Sequence, residues 1–147
     1  MSFLKSASDI FGSQSIVASV DVYKGLFNKY FIYDSSRKKK INMNIKEYLS
    51  QLELCGAGEI YLSAVHKDGT FEGYDIDFYK DIVKDLRVPV IVNGGGRNIK
   101  DFAMVIQEAN VSAVSAGSMF VFNGPHKAVL ITYPEYNLLE QSLGALN

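Results

Sequence analysis

Short runs of β-branched residues alternate along the chain with longer segments in which apolar residues recur three and four positions apart. The short runs predict four strands, over residues 15–21, 59–65, 88–93 and 111–117. The longer segments predict amphipathic helices over residues 44–55, 75–86 and 98–110. This alternating order predicts an α/β fold in which parallel strands are joined by helical crossovers.

The residues at the predicted helix ends agree with this interpretation. Asp75 and Asn98 are suited to cap the amino ends of helices, because their side chains accept hydrogen bonds from free backbone N–H groups. Gly56 is suited to end one, since glycine adopts positive φ without strain. Pro89 opens a strand at a position where a missing N–H is tolerated.

The two ends of the chain flank this unit of strands and helices. A stripe of apolar residues before the first strand predicts that residues 1–13 form the end of a preceding helix. After residues 15–122, which hold the four βα-type strands and their crossovers, residues 123–147 are expected to form a divergent tail. Within that tail, residues 128–134 are predicted to be extended and 135–146 to form a short helix. No linker interrupts the pattern, so residues 1–147 are predicted to form a single domain.

Composition excludes several classes of protein. Of the 147 residues 48% are hydrophobic and 21% charged, which is typical of a globular protein and not of a disordered tail. The formal net charge of −1 leaves no basic field to hold nucleic acid. No uncharged apolar run approaches the ~20 residues that a membrane helix needs. A lone cysteine, Cys55, excludes an internal disulfide and favours a reducing compartment, so a cytoplasmic protein is predicted.

Histidine spacing argues against a metal site. His66 and His126 lie far apart in the sequence, and neither has a partner at ligand spacing. A metal is therefore predicted to be absent. No cofactor is predicted either, because the glycines after Asn93 fit neither a dinucleotide fingerprint nor a P-loop. The run Arg37–Lys40 falls in the long segment after the first strand, where a solvated loop is the expected outcome.

Asp21 is the first candidate for chemistry, because it stands at the carboxyl end of an otherwise apolar strand. Alternation places it on one face with Val17 and Ser19. A carboxylate in such a place is costly unless it is hydrogen-bonded or functional. A loop-capping role and a catalytic role are equally compatible with this pattern.

Three strand-to-helix loops carry the remaining candidates. The first follows residue 63 and contains Asp68-Gly69-Thr70, which alone is also explained by a tight turn. The second is Asn93-Gly94-Gly95-Gly96, whose glycines let the backbone approach a ligand closely, and the third is Ser115–Ser118. Consecutive Gly- and Ser-rich loops after the last two strands are typical of the phosphate site of a (β/α)₈ barrel, so phosphate binding is predicted there.

The motifs together resemble one enzyme family. Gly56-Ala57-Gly58-Glu59-Ile60, Lys67–Thr70 with Gly73-Tyr74-Asp75, Pro89–Val92 and Gly94-Gly95 are similar to the cyclase subunit of imidazole glycerol phosphate synthase. The resemblance runs from about Phe11 to Phe122 and covers only the carboxyl half of that family's barrel. It implies half of a (β/α)₈ TIM barrel, with four βα units and a parallel sheet, completed by oligomerisation.

The resemblance also assigns roles to single residues. Asp21 matches one member of a catalytic aspartate pair, and Glu59 matches a charged residue where ammonia from a glutaminase partner enters the barrel. The implied phosphate- and substrate-binding residues are Ser63, Asp68, Gly69, Thr70, Asn93, Gly94, Gly95, Gly117 and Ser118. The substrate would be a phosphorylated ribonucleotide on which ammonia closes an imidazole ring.

Several positions depart from the family pattern. His66 stands where an acid is usual, Asn93 where a small hydroxyl is common, and Tyr23 where a lysine is expected. The tail from Gly124 to Pro134 is closer to paralogues associated with surface-polysaccharide genes. The first four βα units, with the other aspartate and the second phosphate site, have no counterpart in this chain. A homo-oligomer or a separately encoded amino-terminal half-barrel is therefore expected as a partner.

Three functions remain open at this point. The first is a cyclase or lyase that uses ammonia on a phosphorylated ribonucleotide. The second is support of ammonia-dependent amidination of a nucleotide sugar, together with a glutaminase. The third is a non-catalytic half-barrel that binds phosphate.

Overall fold

A computed structural model of the chain describes residues 1–144, which form an α/β structure. The strands are β1 (Val17–Lys24), β2 (Tyr30–Asp34), β3 (Lys39–Ile41), β4 (Glu59–Ala64), β5 (Val90–Asn93), β6 (Ala113–Ser115), β7 (Phe122–Asn123) and β8 (Ala128–Val129). The helices are α1 (Ser2–Phe11), α2 (Ile45–Leu54), α3 (Ile76–Val83), α4 (Ile99–Ala109), α5 (Ser118–Val121) and α6 (Tyr136–Gly144). Single 3₁₀ turns cover Ser13–Ser15 and Leu26–Asn28.

The main sheet has the strand order β3-β2-β1-β4-β5-β6. Strands β1, β4, β5 and β6 pair in parallel, with α2, α3 and α4 in the connections between them. A parallel sheet built from such βα units is a partial (β/α) barrel. An antiparallel hairpin, β2–β3, extends the sheet beside the carboxyl end of β1.

Side chains of the parallel strands separate the sheet into a covered face and an open face. Ala18, Val20 and Val22 of β1 are buried, as are Ile60 and Leu62 of β4. The core helices contribute buried apolar side chains to the same side: Leu49, Leu52, Phe78, Tyr79, Ile82, Phe102 and Val105. The open face, which would line the interior of a barrel, includes Val17 with 52% of its surface exposed.

The predicted parallel strands and the three core helices are confirmed. Most of them are shorter than predicted, whereas β1 runs to Lys24, three residues beyond its predicted end. β1 starts later than predicted because residues 13–15 form a 3₁₀ turn, and β6 has only three residues. The predicted cap at Asn98 is confirmed, since its side-chain oxygen accepts the N–H groups of Lys100 at 2.9 Å and Asp101 at 3.2 Å. Gly56 follows the end of α2 with φ of 95°, as a helix stop requires.

Two local predictions are wrong. Within residues 1–144 the Asp75 carboxylate makes no capping bond and instead accepts from the Lys24 ammonium and the Tyr30 hydroxyl. The basic segment after the first strand is not simply a solvated loop, because Lys39 and Lys40 lie in β3. Both errors have one cause: a hairpin folds back across β1 and brings distant residues together.

The predicted helical stripe before the first strand forms α1, and of the segment 128–134 predicted to be extended, Ala128–Val129 forms a strand. In α1 several apolar side chains stay exposed, among them Phe3 at 85% and Ile10 at 74%. In the tail, β8 pairs with β7, and Tyr133 stacks on Phe120 with ring centroids 5.4 Å apart. The last residues of the predicted helix 135–146 include Leu146, which lies outside the described residues. No helix described here is both long and apolar enough to cross a membrane.

Candidate functional site

Four polar residues occupy one row across the carboxyl ends of the parallel strands. The pairing register sets Asp21 opposite Ser63, Ser63 opposite Asn93, and Asn93 opposite Ser115. The Asn93 side-chain amide donates to the Ser63 hydroxyl at 3.0 Å. Since in-register residues of parallel strands point to the same face, the sheet itself brings Asp21, Ser63 and Asn93 together.

Tyrosine hydroxyls from β4, from the loop before α3 and from α3 itself fix the same row. Tyr61 donates to the Ser115 hydroxyl at 3.1 Å, and Tyr74 donates to the Ser115 carbonyl at 2.7 Å. Tyr79, which is fully buried, donates to the Asn93 carbonyl at 2.7 Å. Burial raises the pKa of Tyr74 and Tyr79 far above the usual value, so both hydroxyls remain hydrogen-bond donors even in alkaline solution.

Asp21 is half-buried at the end of this row and has a partner that the sequence did not indicate. The Ser35 hydroxyl, in the turn of the β2–β3 hairpin, donates to the Asp21 carboxylate. Ser35 lies in a polar stretch without a motif, so only the fold of the hairpin reveals it. A carboxylate with one hydroxyl donor and an open side is able to exchange protons with a ligand.

The glycines after β5 have a structural role beside any role in binding. Gly94 and Gly95 are buried with φ of 111° and 97°. A Cβ atom on Gly94 would lie 2.6 Å from the Ala64 carbonyl oxygen, and one on Gly95 would lie 2.3 Å from that of Gly73. The loop after β5 is therefore packed closely against the loop after β4, and only glycine fits there.

The loop after β4 forms a tight turn that holds Asp68, Gly69 and Thr70. The Thr70 hydroxyl donates to the Lys67 carbonyl at 2.8 Å and accepts the Glu72 N–H at 3.3 Å, so it stabilises its own turn. Asp68 is exposed, and Gly69 has φ of 72°.

This turn approaches the loop after β6. A Cβ atom on Gly69 would lie 3.5 Å from the Ser118 hydroxyl oxygen, whereas one on Gly117 would meet no described atom within 4 Å. A cleft of about 480 Å³ opens beside these loops and is lined by Phe71, Arg97, Met119, Phe122, Asn123, Gly124, Pro125 and Lys127.

Glu59 is the one predicted site residue at the other end of the sheet. It is the first residue of β4 and pairs with Val17, whereas Ser63 is near the last. Glu59, Tyr61 and Ser63 alternate onto the same face, so the strand carries Glu59 and Ser63 to opposite ends of the barrel interior. Among residues 1–144, no group of three His, Cys, Asp or Glu side chains is placed to hold a metal ion.

A second cluster, absent from the predicted site, lies beside the row. Asp75 accepts from the Lys24 ammonium at 3.4 Å and from the Tyr30 hydroxyl, and the His66 Nε2 lies 4.0 Å from the same carboxylate oxygen. These residues come from β1, β2, the loop after β4 and the start of α3. Their sequence separation hides the cluster from any local pattern.

The parallel sheet, its helices and its polar carboxyl edge define the class of protein: part of a (β/α)₈ barrel. Comparison with known sequences is more specific, because residues 1–126 match the profile of the family described as histidine biosynthesis protein. The chain belongs to that family.

Individual relatives agree with this assignment. The chain is 38% identical over 140 residues to a Pseudomonas aeruginosa protein named provisionally as imidazole glycerol phosphate synthase subunit hisF2, covering 95% of this chain and 56% of that one. It is 40% identical over 124 residues to a Vibrio vulnificus protein given the provisional name hisF3 of the same synthase, covering 84% and 48%. A Leptospira borgpetersenii protein named provisionally as its subunit HisF is 35% identical over 132 residues, covering 89% and 52%. The chain thus spans about half the length of the relatives it matches.

Proposed function

We propose that this chain supplies the carboxyl half of the active site of an imidazole glycerol phosphate synthase cyclase. In this proposal Asp21 transfers protons while the loops after β5 and β6 hold a substrate phosphate. One observation carries the proposal: Asp21, Ser63 and Asn93 share a row at the sheet edge from which those loops also emerge. Active sites of (β/α)₈ barrels lie at this edge.

The expected reaction explains the need for a carboxylate. Ammonia adds to the ribulosyl carbonyl of the substrate, an imine forms with loss of water, and ring closure expels an aminoimidazole carboxamide. Each step moves a proton to or from nitrogen or oxygen, which a positioned carboxylate accelerates by about 10²–10⁴-fold. Asp21 faces the open side of the sheet and keeps a fixed direction through the Ser35 hydroxyl.

Phosphate binding in the proposal uses backbone N–H groups and a hydroxyl. Gly94 and Gly95 leave their backbone free of side chains, and Gly117 has open space around its Cα. Ser118 adds a hydroxyl that faces the Gly69 turn. Such concave runs of backbone N–H groups are suited to an anion.

Assembly is part of the proposal, because the described strands make only half of a barrel wall. The second carboxylate and the second phosphate site would come from another copy or from a separately encoded amino-terminal half. A glutaminase would dock at the end that holds Glu59 and deliver ammonia through the interior. The open face at Val17 and the coverage of about half of each relative support this arrangement.

The decisive experiment measures turnover of the histidine-pathway ribonucleotide with free ammonia, using the full chain in the assembly it forms. Asp21→Asn is expected to lower kcat by at least about 10²-fold. Asp9→Asn, on the exposed face of α1, is the matched control and is expected to retain full activity.

Retention of turnover by Asp21→Asn would overturn the catalytic role. Phosphate binding without turnover would instead favour the non-catalytic half-barrel. Support of a nucleotide-sugar amidotransferase without cyclase turnover would favour the amidination function.

A further inference from the structure

His66 lies in the loop after β4 and is largely buried, with 14% of its side chain exposed. Its Nδ1 accepts a hydrogen bond from the backbone N–H of Lys24 at 3.2 Å. An accepting nitrogen carries no proton, so the neutral imidazole has its hydrogen on Nε2. That Nε2 has no hydrogen-bond partner within the described part of the chain.

The Lys24 N–H lies at the junction where the hairpin leaves the parallel sheet. Lys24 is the last residue of β1 and pairs with Tyr30, the first residue of β2. Asp75 provides a second tie at the same point, because the Tyr30 hydroxyl and the Lys24 ammonium both donate to its carboxylate. His66 therefore holds the end of β1, where the hairpin joins the sheet, and its ring contacts Tyr30 of the hairpin edge-on. Asp75 binds Tyr30 directly.

Protonation of His66 would disrupt this junction. An imidazolium has hydrogens on both nitrogens. When His66 takes up a proton from solvent at Nδ1, that hydrogen faces the Lys24 N–H, which is left without an acceptor. The charged and titratable groups around the ring are Lys24, Lys67, Asp75, Tyr23 and Tyr30. Burial, with Lys24 and Lys67, lowers the pKa of His66 against the opposing effects of the Asp75 carboxylate and the Val22 backbone.

We propose that His66 is a positioning residue: its neutral imidazole fixes the β2–β3 hairpin, and its protonation loosens that hairpin and withdraws Ser35 from Asp21. The inference rests on the proposed function only for the role of Asp21. The loosening itself is a property of the fold and is measured without substrate.

Hydrogen exchange of the β1–β2 amides tests the proposal on the full chain. After correction for intrinsic rates, protection is expected to fall about fivefold between about pH 7.5 and 5.5, the equivalent of one typical hydrogen bond. In His66→Asn the side-chain oxygen replaces Nδ1 as an acceptor that does not titrate, so protection is expected to stay constant over this range. His126→Gln removes the other histidine of the chain and is expected to behave as the wild type.

Unchanged wild-type protection, or an equal fall in His66→Asn, would overturn the proposal. Amides of the β4–β5 ladder report whether each variant keeps its fold. A second measurement needs no variant at His66: imidazole NMR of the His126→Gln protein follows His66 alone. Its midpoint must coincide with the midpoint of hairpin loosening, and a separation of the two would also overturn the proposal. Loss of cyclase activity for any other reason changes neither readout.

Discussion

The Ser35 hydroxyl donates a hydrogen bond to the Asp21 carboxylate, which joins the turn of the β2–β3 hairpin to the carboxyl end of β1. The contact sets the direction of a carboxylate that otherwise faces the open side of the sheet. A hairpin that looks peripheral in the strand order thus contributes to the candidate site.

Replacing Ser35 tests this contact. In an active assembly, Ser35→Ala is expected to lower kcat by about three- to tenfold, because Asp21 loses a hydrogen bond of typical strength. Ser36→Ala is the matched control, since the Ser36 hydroxyl bonds Asp34 at 2.7 Å and not Asp21. Equal effects of the two substitutions on steady-state kinetics would contradict the specific role of Ser35.

The glycines after β5 and β6 are expected to differ sharply in tolerance. Gly95→Ala places a Cβ 2.3 Å from the Gly73 carbonyl oxygen at positive φ, so we expect a loss of at least about 2 kcal/mol in the free energy of unfolding. Gly117→Ala meets no described atom and is expected to stay within about 0.5 kcal/mol of the wild type. Urea unfolding curves compare the two, and a stable Gly95→Ala would refute the close approach of the loops.

The Tyr79 hydroxyl, on α3, is expected to stabilise the row of polar residues at the carboxyl ends of the parallel strands. Tyr79→Phe leaves the Asn93 carbonyl without its donor at 2.7 Å and is expected to cost about 1–2 kcal/mol of unfolding free energy. Tyr133→Phe removes a hydroxyl from a side chain that is 74% exposed, so no comparable loss is expected. Thermal or urea unfolding at neutral pH measures both variants.

Alkaline pH is expected to weaken the fold through Tyr30. Burial, with a hydrogen bond to Asp75, raises the pKa of Tyr30 to about 12. An unfolded tyrosine deprotonates near pH ~10, so above that pH the unfolded chain releases a proton that the folded chain retains. The free energy of unfolding therefore falls as pH rises from ~10 toward 12, and Tyr30→Phe is expected to make this slope shallower. Unfolding curves across this range check the slope, with the exposed Tyr136→Phe as control.

The open face of the sheet is expected to be covered in solution. Light scattering at micromolar concentration is expected to find a dimer or larger assembly. Val17→Lys places a charge on the open face and is expected to shift the assembly toward monomer, whereas Met104→Lys, on the outer side of α4, is not. A compact wild-type monomer would refute assembly through this face.

Local patterns in the sequence were sufficient to predict the parallel sheet. Ile60 and Leu62 alternate with more polar residues in β4, Val90–Val92 form a short apolar run in β5, and the core helices carry apolar residues at helical spacing. Each of these elements was therefore predictable without its neighbours. Asp21 was also predictable as a candidate site residue, because its carboxylate stands at the end of an otherwise apolar strand. The resemblance to a known family then related the glycine-rich loops to phosphate binding.

The hairpin and its contacts required the three-dimensional structure. Tyr30–Asp34 is a five-residue strand that follows a turn with positive φ at Phe27 and Asn28, neither of which is glycine. Gly25 and Asn28 are residues common in turns, but they do not reveal that Tyr30 reaches Asp75 or that Ser35 reaches Asp21. Asp75 has the sequence of an N-cap, but its carboxylate instead serves Tyr30 and Lys24, contacts that local patterning does not contain.

The hairpin also restricts how another strand is able to join the sheet. It pairs with β1 only at Val22–Lys24, whereas β4 pairs with β1 from Val17 to Val22 on the other side. In the part of the chain that the structure describes, residues 17–21 keep one edge of backbone donors and acceptors free. An incoming strand therefore has about five residues of β1 with which to pair, roughly the length of an average strand, and its pairing would end at Asp21, where the hairpin begins. In the proposed assembly, the hairpin would therefore limit how far a strand of the second half-barrel extends along β1.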